Sequence, residues 1–192
     1  MTSTDVRDRV VETADALYNA RGIQAVGMDE LRTAAGVSLK RLYHEFPSKS
    51  SIVMAVLERR HRSWTTGLEG AVRQVSTDRG RLLAIFDYLA QWFSEDSFRG
   101  CGFINSFAEL GAVSHEVADY ARQHKESFQA YVVELTEAAG APHYLAPQLS
   151  ILAEGAQTTA AIAGSPAAAL HARRAAEVLI DTALRGGARA AM

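Results

Sequence analysis

The chain has 192 residues, of which 48 % are hydrophobic and 22 % charged, with a formal net charge of −2. That balance excludes a disordered chain, and the length allows one large domain or two small ones. No apolar run approaches the roughly 18 residues of a membrane span, and the N-terminal "MTSTDVRDRVVE" has acids where a signal peptide needs an apolar stretch.

A single cysteine, Cys101, excludes an internal disulfide and suits a reducing compartment. The expectation is a cytoplasmic protein with no membrane partner. Charge is unevenly spread. Residues 1–62 carry 10 Lys/Arg against 8 Asp/Glu, and residues 63–192 carry 10 against 14. The direction fits a nucleic-acid partner for the N-terminal part alone.

Nearly every segment has the helical period and none shows sustained strand alternation, so the expected fold class is all-α with about nine helices. Val6, Val10, Ala14, Leu17 and Tyr18 form the apolar stripe of a first helix that Gly22 ends. A short second helix, from about Met28 to Ala35, stops at Gly36. Ser38 stands where an N-cap belongs, and a third helix runs to about Glu45 before Phe46-Pro47 breaks it. Ser48 can cap a long fourth helix over about 48–75, striped by Ile52, Val56, Leu57, Trp64, Leu68 and Val72.

"RLLAIFDYLAQWF" reads as a buried fifth helix and "CGFINSFAELGA" as a sixth. A seventh begins near Ser114 with Val117, Ala121, His124, Phe128, Tyr131 and Leu135 on one face. After the loop "GAPHYLAP" an alanine-rich eighth helix covers about 146–163, and "GSP" opens the ninth. The terminal "RGGARAAM" is expected to fray.

The second and third helices, joined by "AGVS", make a helix-turn-helix pattern in which glycine permits the turn and Val37 plugs between helices. Leu42 and Phe46 pack inward, so the third helix presents Leu39, Lys40, Arg41 and His44 outward. Such a helix fits the major groove of double-stranded DNA, roughly 12 Å wide. Arg41 can donate bidentately to guanine, Lys40 can reach guanine or phosphate, and Leu39 can touch a thymine methyl. Tyr43 and Lys49 suit phosphate contacts, the latter at a helix N-terminus that attracts anions. The competing explanation is a structural helical hairpin with a solvated cationic face.

Residues 23–57, "IQAVGMDELRTAAGVSLKRLYHEFPSKSSIVMAVL", resemble the DNA-binding domain of the TetR family of bacterial transcriptional regulators. Gly36, Val37, Ser38, Leu42, Tyr43, Phe46, Ser48 and Lys49 match the family pattern in order. The sequence departs in two places. Val26-Gly27 replaces threonines that often cap the second helix, and Lys40-Arg41 replaces a frequent glycine-threonine pair, so the operator sequence is its own. The resemblance implies a DNA-binding domain at 1–47 and an effector-binding and dimerisation domain at 48–192, connected by the long helix. It also implies a homodimer on a palindromic operator, a small mainly apolar effector, and repression as the outcome.

Alanine on both faces of the eighth helix independently suits a position between a core and a partner chain. Leu152, Ala156, Val178 and Leu179 are the candidate dimer seam. Trp64, Trp92, Phe107 and Phe128 are candidate effector contacts among many aromatics that must be ordinary core. Asn105, Glu109 and His124 are the candidate polar groups. His124 also suits a hydrogen-bonded core position, and the stripe Cys101, Asn105, Glu109 either faces solvent or lines a pocket.

Cys101, near a helix N-terminus, is either a small buried side chain or a reactive thiol. Some members of the family that the chain resembles sense oxidants or electrophiles through a comparable "RGC" segment, which makes a thiol-based regulator the alternative function. Enzyme readings fare poorly: no phosphate loop and no Cys/His metal spacing occurs. Glu58-x-x-His61 has the spacing of a di-iron ligand pair, a distant alternative that lacks a second pair. No cofactor, no metal and no catalytic residue is expected.

Overall fold

A computed structural model describes residues 3–190, and among these every regular element is a helix. In chain order they are α1 (Ser3–Arg21), α2 (Met28–Ala34), α3 (Leu39–Glu45), α4 (Lys49–Arg73), α5 (Asp78–Phe93), α6 (Gly102–Leu110), α7 (His115–Ala138), α8 (Leu145–Ala163) and α9 (Ala167–Ala190). None is long and apolar enough to cross a membrane. α9 continues through most of the stretch expected to fray, since helical hydrogen bonding persists to Ala190; residues 191–192 lie outside the described residues.

The chain divides into two compact units. One holds the residues up to Ser63 together with Gly102–Ala121; the other holds Trp64–Cys101 and the residues from Arg122 onward. This grouping differs from a border at 47/48. It puts the first part of α4, all of α6 and the start of α7 with the N-terminal helices. Periodicity shows that a helix has an apolar face but not which helices that face will meet.

In the first unit the local chemistry explains each short helix. Gly22 and Gly36 take left-handed φ values of 84° and 63°, which lets α1 and α2 end in tight turns that a β-carbon would strain. Gly27 caps α2 with extended backbone and no side-chain bond, as its lack of a hydroxyl requires. At α3, the Ser38 hydroxyl accepts a hydrogen bond from the Arg41 N–H at 3.2 Å. Ser48 and Ser51 cap the start of α4 reciprocally, each hydroxyl accepting from the other's backbone N–H at 3.1 and 3.3 Å. A helix of seven residues is unstable alone. α3 is held because Leu42 and the following Phe46 are wholly buried, in a core with Val10, Ala14, Val26, Leu31 and Ile52. Arg7 of α1 lies 4.3 Å over the Phe46 ring and donates to the Glu45 carbonyl at 3.0 Å, pinning the end of α3.

The second unit is built on α5, whose Leu82, Leu83, Ile85, Phe86, Leu89 and Phe93 are buried. α8 and α9 pack on it and on each other through small side chains: Ala146, Ala153, Ala156 and Ala160 from α8, Ala169, Ala172, Ala176 and Ala183 from α9. Arg79 of α5 bridges Asp181 and Glu177 of α9 at 2.6 and 3.0 Å. These partly exposed pairs fix alignment more than they add stability. The packing also rotates the candidate dimer seam. Ala156 is core, and Leu152 and Leu179 lean on the core, whereas Ile151, Ile162, Leu170 and Val178 stand exposed. The alanine stripe takes the inward face because only small residues let the helices approach so closely.

Since Phe46 is the large side chain holding α3, Phe46→Ala should cost about 3–5 kcal/mol in denaturant unfolding. A loss below about 1 kcal/mol would show that α3 is held by other contacts.

Candidate functional site

α3 separates its side chains cleanly. Leu42 is buried, while Ser38, Leu39, Lys40, Tyr43 and His44 are exposed on the opposite face. The exposed set comprises a cation, an aromatic phenol, an imidazole and an aliphatic tip, which is suited to base edges and phosphates. Arg41 differs from its expected outward reach. Its guanidinium pairs with Glu45 one turn later at 2.8 Å, so it lies along the helix, and a DNA contact would have to replace or share that carboxylate.

Lys49 at the start of α4 is half-buried and donates at 3.5 Å to the Gln24 carbonyl in the α1–α2 turn. Burial lowers its pKa from the usual lysine value, and the Glu109 carboxylate opposes that shift. Its ammonium is therefore committed to the turn as well as available to a phosphate.

The expected effector residues are divided between the two units. Trp64, His124 and Phe128 come together in the second unit, with the Trp64 ring edge-to-face against both His124 (5.2 Å) and Phe128 (5.1 Å). His124 and Phe128 are buried and Trp64 half-buried. Trp92 belongs to a different ring cluster, with Phe93 and Phe98 at 5.9 and 5.1 Å. Asn105, Phe107 and Glu109 are in the first unit. Phe107 is 54 % exposed, so it projects from α6 and is no part of an aromatic core. Asn105 and Glu109 line a cleft of that unit, whereas Cys101, expected on the same stripe, is buried and belongs to the other unit. The i, i+4, i+8 spacing holds only within one helix, and α6 begins at Gly102, after Cys101.

Glu109 has a role that spacing did not reveal. Its carboxylate accepts from the Ile23 and Gln24 backbone N–H groups at 3.0 and 2.9 Å, and the Gln24 side chain donates to the Glu109 carbonyl at 2.7 Å. α6 is thereby latched to the turn that sets up α2. Gly22 permits this as well, since a β-carbon there would lie 3.1 Å from the carboxylate. Arg60 of α4 similarly pairs with Asp15 of α1.

The buried Cys101 also has unforeseen neighbours. Lys125 of α7 donates to its sulfur at 3.3 Å and is ion-paired with Glu154 of α8. The residues are too far apart in the chain for periodicity to connect them. His61, from the di-iron spacing, packs its ring against Phe103 and Tyr120. Among the described residues no group of three or more His, Cys, Asp or Glu is placed to hold a metal ion.

Comparison with known proteins concerns the helix-turn-helix domain and the fold. Residues 10–56 match the family model described as bacterial regulatory proteins, tetR family. The transcriptional activator FasR of Mycolicibacterium smegmatis is 34 % identical over 91 residues, which is 47 % of this chain and 42 % of that protein. The repressor NemR of Escherichia coli is 28 % identical over 118 residues, covering 60 % of this chain and 59 % of that one. The chain thus matches only about half the length of these curated relatives. Its fold extends further. A TetR-family transcriptional regulator from Streptomyces coelicolor superposes with a TM-score of 0.89 at 23 % identity, over 94 % of this chain and 97 % of its own. The helix-turn-helix unit thus carries the tetR-family domain over residues 10–56, and nearly the whole chain shares the fold of a solved TetR-family regulator.

Proposed function

We propose that this chain is a transcriptional regulator that reads a palindromic operator as a homodimer and represses until a small effector releases it. The observation that carries the DNA-reading part is the two-sided α3, with Leu42 wholly buried and Leu39, Lys40, Tyr43 and His44 exposed. Lys40 and Arg41 carry base contacts, while Tyr43, Lys49 and the uncapped N–H groups of α2 carry phosphate contacts. The printed roles of the relatives include both an activator and a repressor. Repression is the simpler outcome, because a bound dimer occludes whatever promoter sequence it covers.

The dimer is supported by the exposed apolar positions Ile151 and Ile162 on α8 and Leu170 and Val178 on α9. Exposed aliphatic side chains clustered on two helices mark an interaction surface. A two-fold dimer sets two recognition helices roughly 34 Å apart, one helical turn of DNA. The effector reading is supported by Trp64, His124 and Phe128, which combine apolar area with one polar ring. Trp64 lies on α4, the same helix that begins at Lys49, so a ligand against it bears on the helix that follows α3. Release requires that the ligand favour the conformation with poor DNA affinity; a coupling of ~1–3 kcal/mol weakens operator binding about 5–150-fold.

A second reading is favoured by one contact, the Lys125 ammonium beside the Cys101 sulfur. In this reading Cys101, whose sulfur accepts from that ammonium, is the sensor of an oxidant or electrophile. A solved relative, NemR of Escherichia coli, is described in a reduced form. In that case Cys101→Ser abolishes the response of DNA binding to peroxide, and Lys125→Met slows alkylation of Cys101. An unchanged response in Cys101→Ser rejects the thiol reading and leaves the effector reading standing.

Operator fragments selected from the source genome, followed by fluorescence anisotropy, test the main reading. Arg41→Ala should weaken a specific site by about 1–3 kcal/mol and relax specificity at one base pair. If Arg41→Ala and Lys40→Ala both leave operator binding intact, α3 is not the reading helix. Val178→Asp should convert the dimer to monomer in light scattering at micromolar concentration and sharply reduce operator affinity. A Val178→Asp protein that stays dimeric locates the seam elsewhere.

A further inference from the structure

The turn between α1 and α2 is gripped at one residue by charged side chains from two other helices. From α6, the Glu109 carboxylate accepts from the Ile23 and Gln24 backbone N–H groups at 3.0 and 2.9 Å, one oxygen to each. The Gln24 side chain closes that contact by donating to the Glu109 carbonyl at 2.7 Å. From the first residue of α4, Lys49 donates to the Gln24 carbonyl at 3.5 Å. Gln24 is thus held on both sides, its N–H by the carboxylate and its carbonyl by the ammonium. All these residues belong to the first unit.

The two grips differ in strength. Short bonds to an ionised acceptor are the strong kind, so the carboxylate is fixed where it stands. The lysine bond is long and correspondingly weak, and is readily exchanged for a bond to another anion. Half-burial costs the Lys49 ammonium part of its hydration and lowers its pKa, and the Glu109 carboxylate is the charge that opposes this shift. Glu109 therefore acts on Lys49 twice, through the turn that its carboxylate fixes and through its charge.

We propose that Glu109 is a positioning residue for DNA binding: from α6 it holds the 23–24 turn and the Lys49 ammonium ready for a backbone phosphate, acting through Lys49 rather than on the DNA itself. This rests on the assignment of Lys49 as a phosphate contact in the proposal above, and adds to it a residue of α6. Phosphate contacts carry no sequence information, so the effect of Glu109 is the same on any duplex.

The probe is a duplex of arbitrary sequence, followed by fluorescence anisotropy with the full chain over a salt series. Lys49→Met should weaken binding and reduce the salt slope by about one ion for each Lys49 on the duplex. Glu109→Gln removes the charge and turns an amide donor toward one of the two backbone donors. It should weaken binding about three- to tenfold, by the same factor on a second, unrelated duplex. In a Lys49→Met background the same substitution should cost less than about twofold, because it acts through the missing lysine. Without DNA, the Lys49 Cε resonance should titrate at lower pH in Glu109→Gln than in the unsubstituted chain, with Lys40 unchanged; three lysines in the chain make the assignment simple. Glu109→Asp, which withdraws the carboxylate by one methylene, should show the same losses in smaller degree, and takes the place of Glu109→Gln if that variant does not fold. Equal losses with and without Lys49 would make Glu109 a purely structural residue and overturn the proposal. So would tighter binding by Glu109→Gln or an unmoved Lys49 titration. If Lys49→Met itself leaves binding and salt slope intact, the phosphate assignment fails and this inference fails with it.

Discussion

The rotation of α3 about its own axis depends on the burial of Leu42 and Phe46, and the rest of its outward surface follows from that burial. A seven-residue helix has too few internal hydrogen bonds to persist by itself, so tertiary packing must supply its stability. With one leucine and the phenylalanine beyond its last turn locked in the core, residues 39, 40, 43 and 44 have no direction left but outward. The Ser38 cap and the Arg7 contact with Phe46 then set where the helix begins and ends. The small residues and the turn are part of the same device, because the left-handed Gly36 lets α3 turn back onto the core made by α1 and α2.

Many of the charges of the first unit have structural partners. Arg60 holds α1 to α4 through Asp15, and Glu109 holds α6 to the α1–α2 turn through two backbone N–H groups. Hydrogen bonds to an ionised group are the stronger ones, and here they tie together segments far apart in the chain. The latch explains why α6 groups with the N-terminal helices. It also means that any change in α6 is felt first at the turn before α2. Arg41, paired with Glu45 one turn later, likewise has its guanidinium along the helix.

The second unit solves a different problem. Helices α8 and α9 pack on α5 and on each other through alanines, which allow close backbone approach but leave little side-chain volume for a wide apolar stripe. The larger aliphatic residues Ile151, Ile162, Leu170 and Val178 are left on the outer face. Alanine inside and isoleucine outside inverts the usual arrangement of a surface helix. Cys101, Lys125 and Glu154 form a buried-to-half-buried polar line in this unit, chemically distinct from the aromatic cluster around Trp64.

The sequence by itself determined the helices and their ends. The glycines at 22, 36 and 164, the serine caps and the Phe46-Pro47 break act over a few residues, so their effect is written locally. The outward set on α3 was legible for the same reason, since two buried positions in one short helix define its opposite face. Even the Arg41–Glu45 pair was accessible, being an i, i+4 spacing that the charge pattern alone left unread. Only the tertiary structure decided the rest. Glu109 meets Ile23 across 86 residues and Cys101 meets Lys125 across 24, and no periodicity links either pair. Likewise the outward residues of α8 and α9 depend on how far each helix is rotated against α5, which alanine on every face leaves undetermined. A helix's existence is a local property of its backbone, whereas its partners are chosen by the packing of surfaces that come together only when the chain folds.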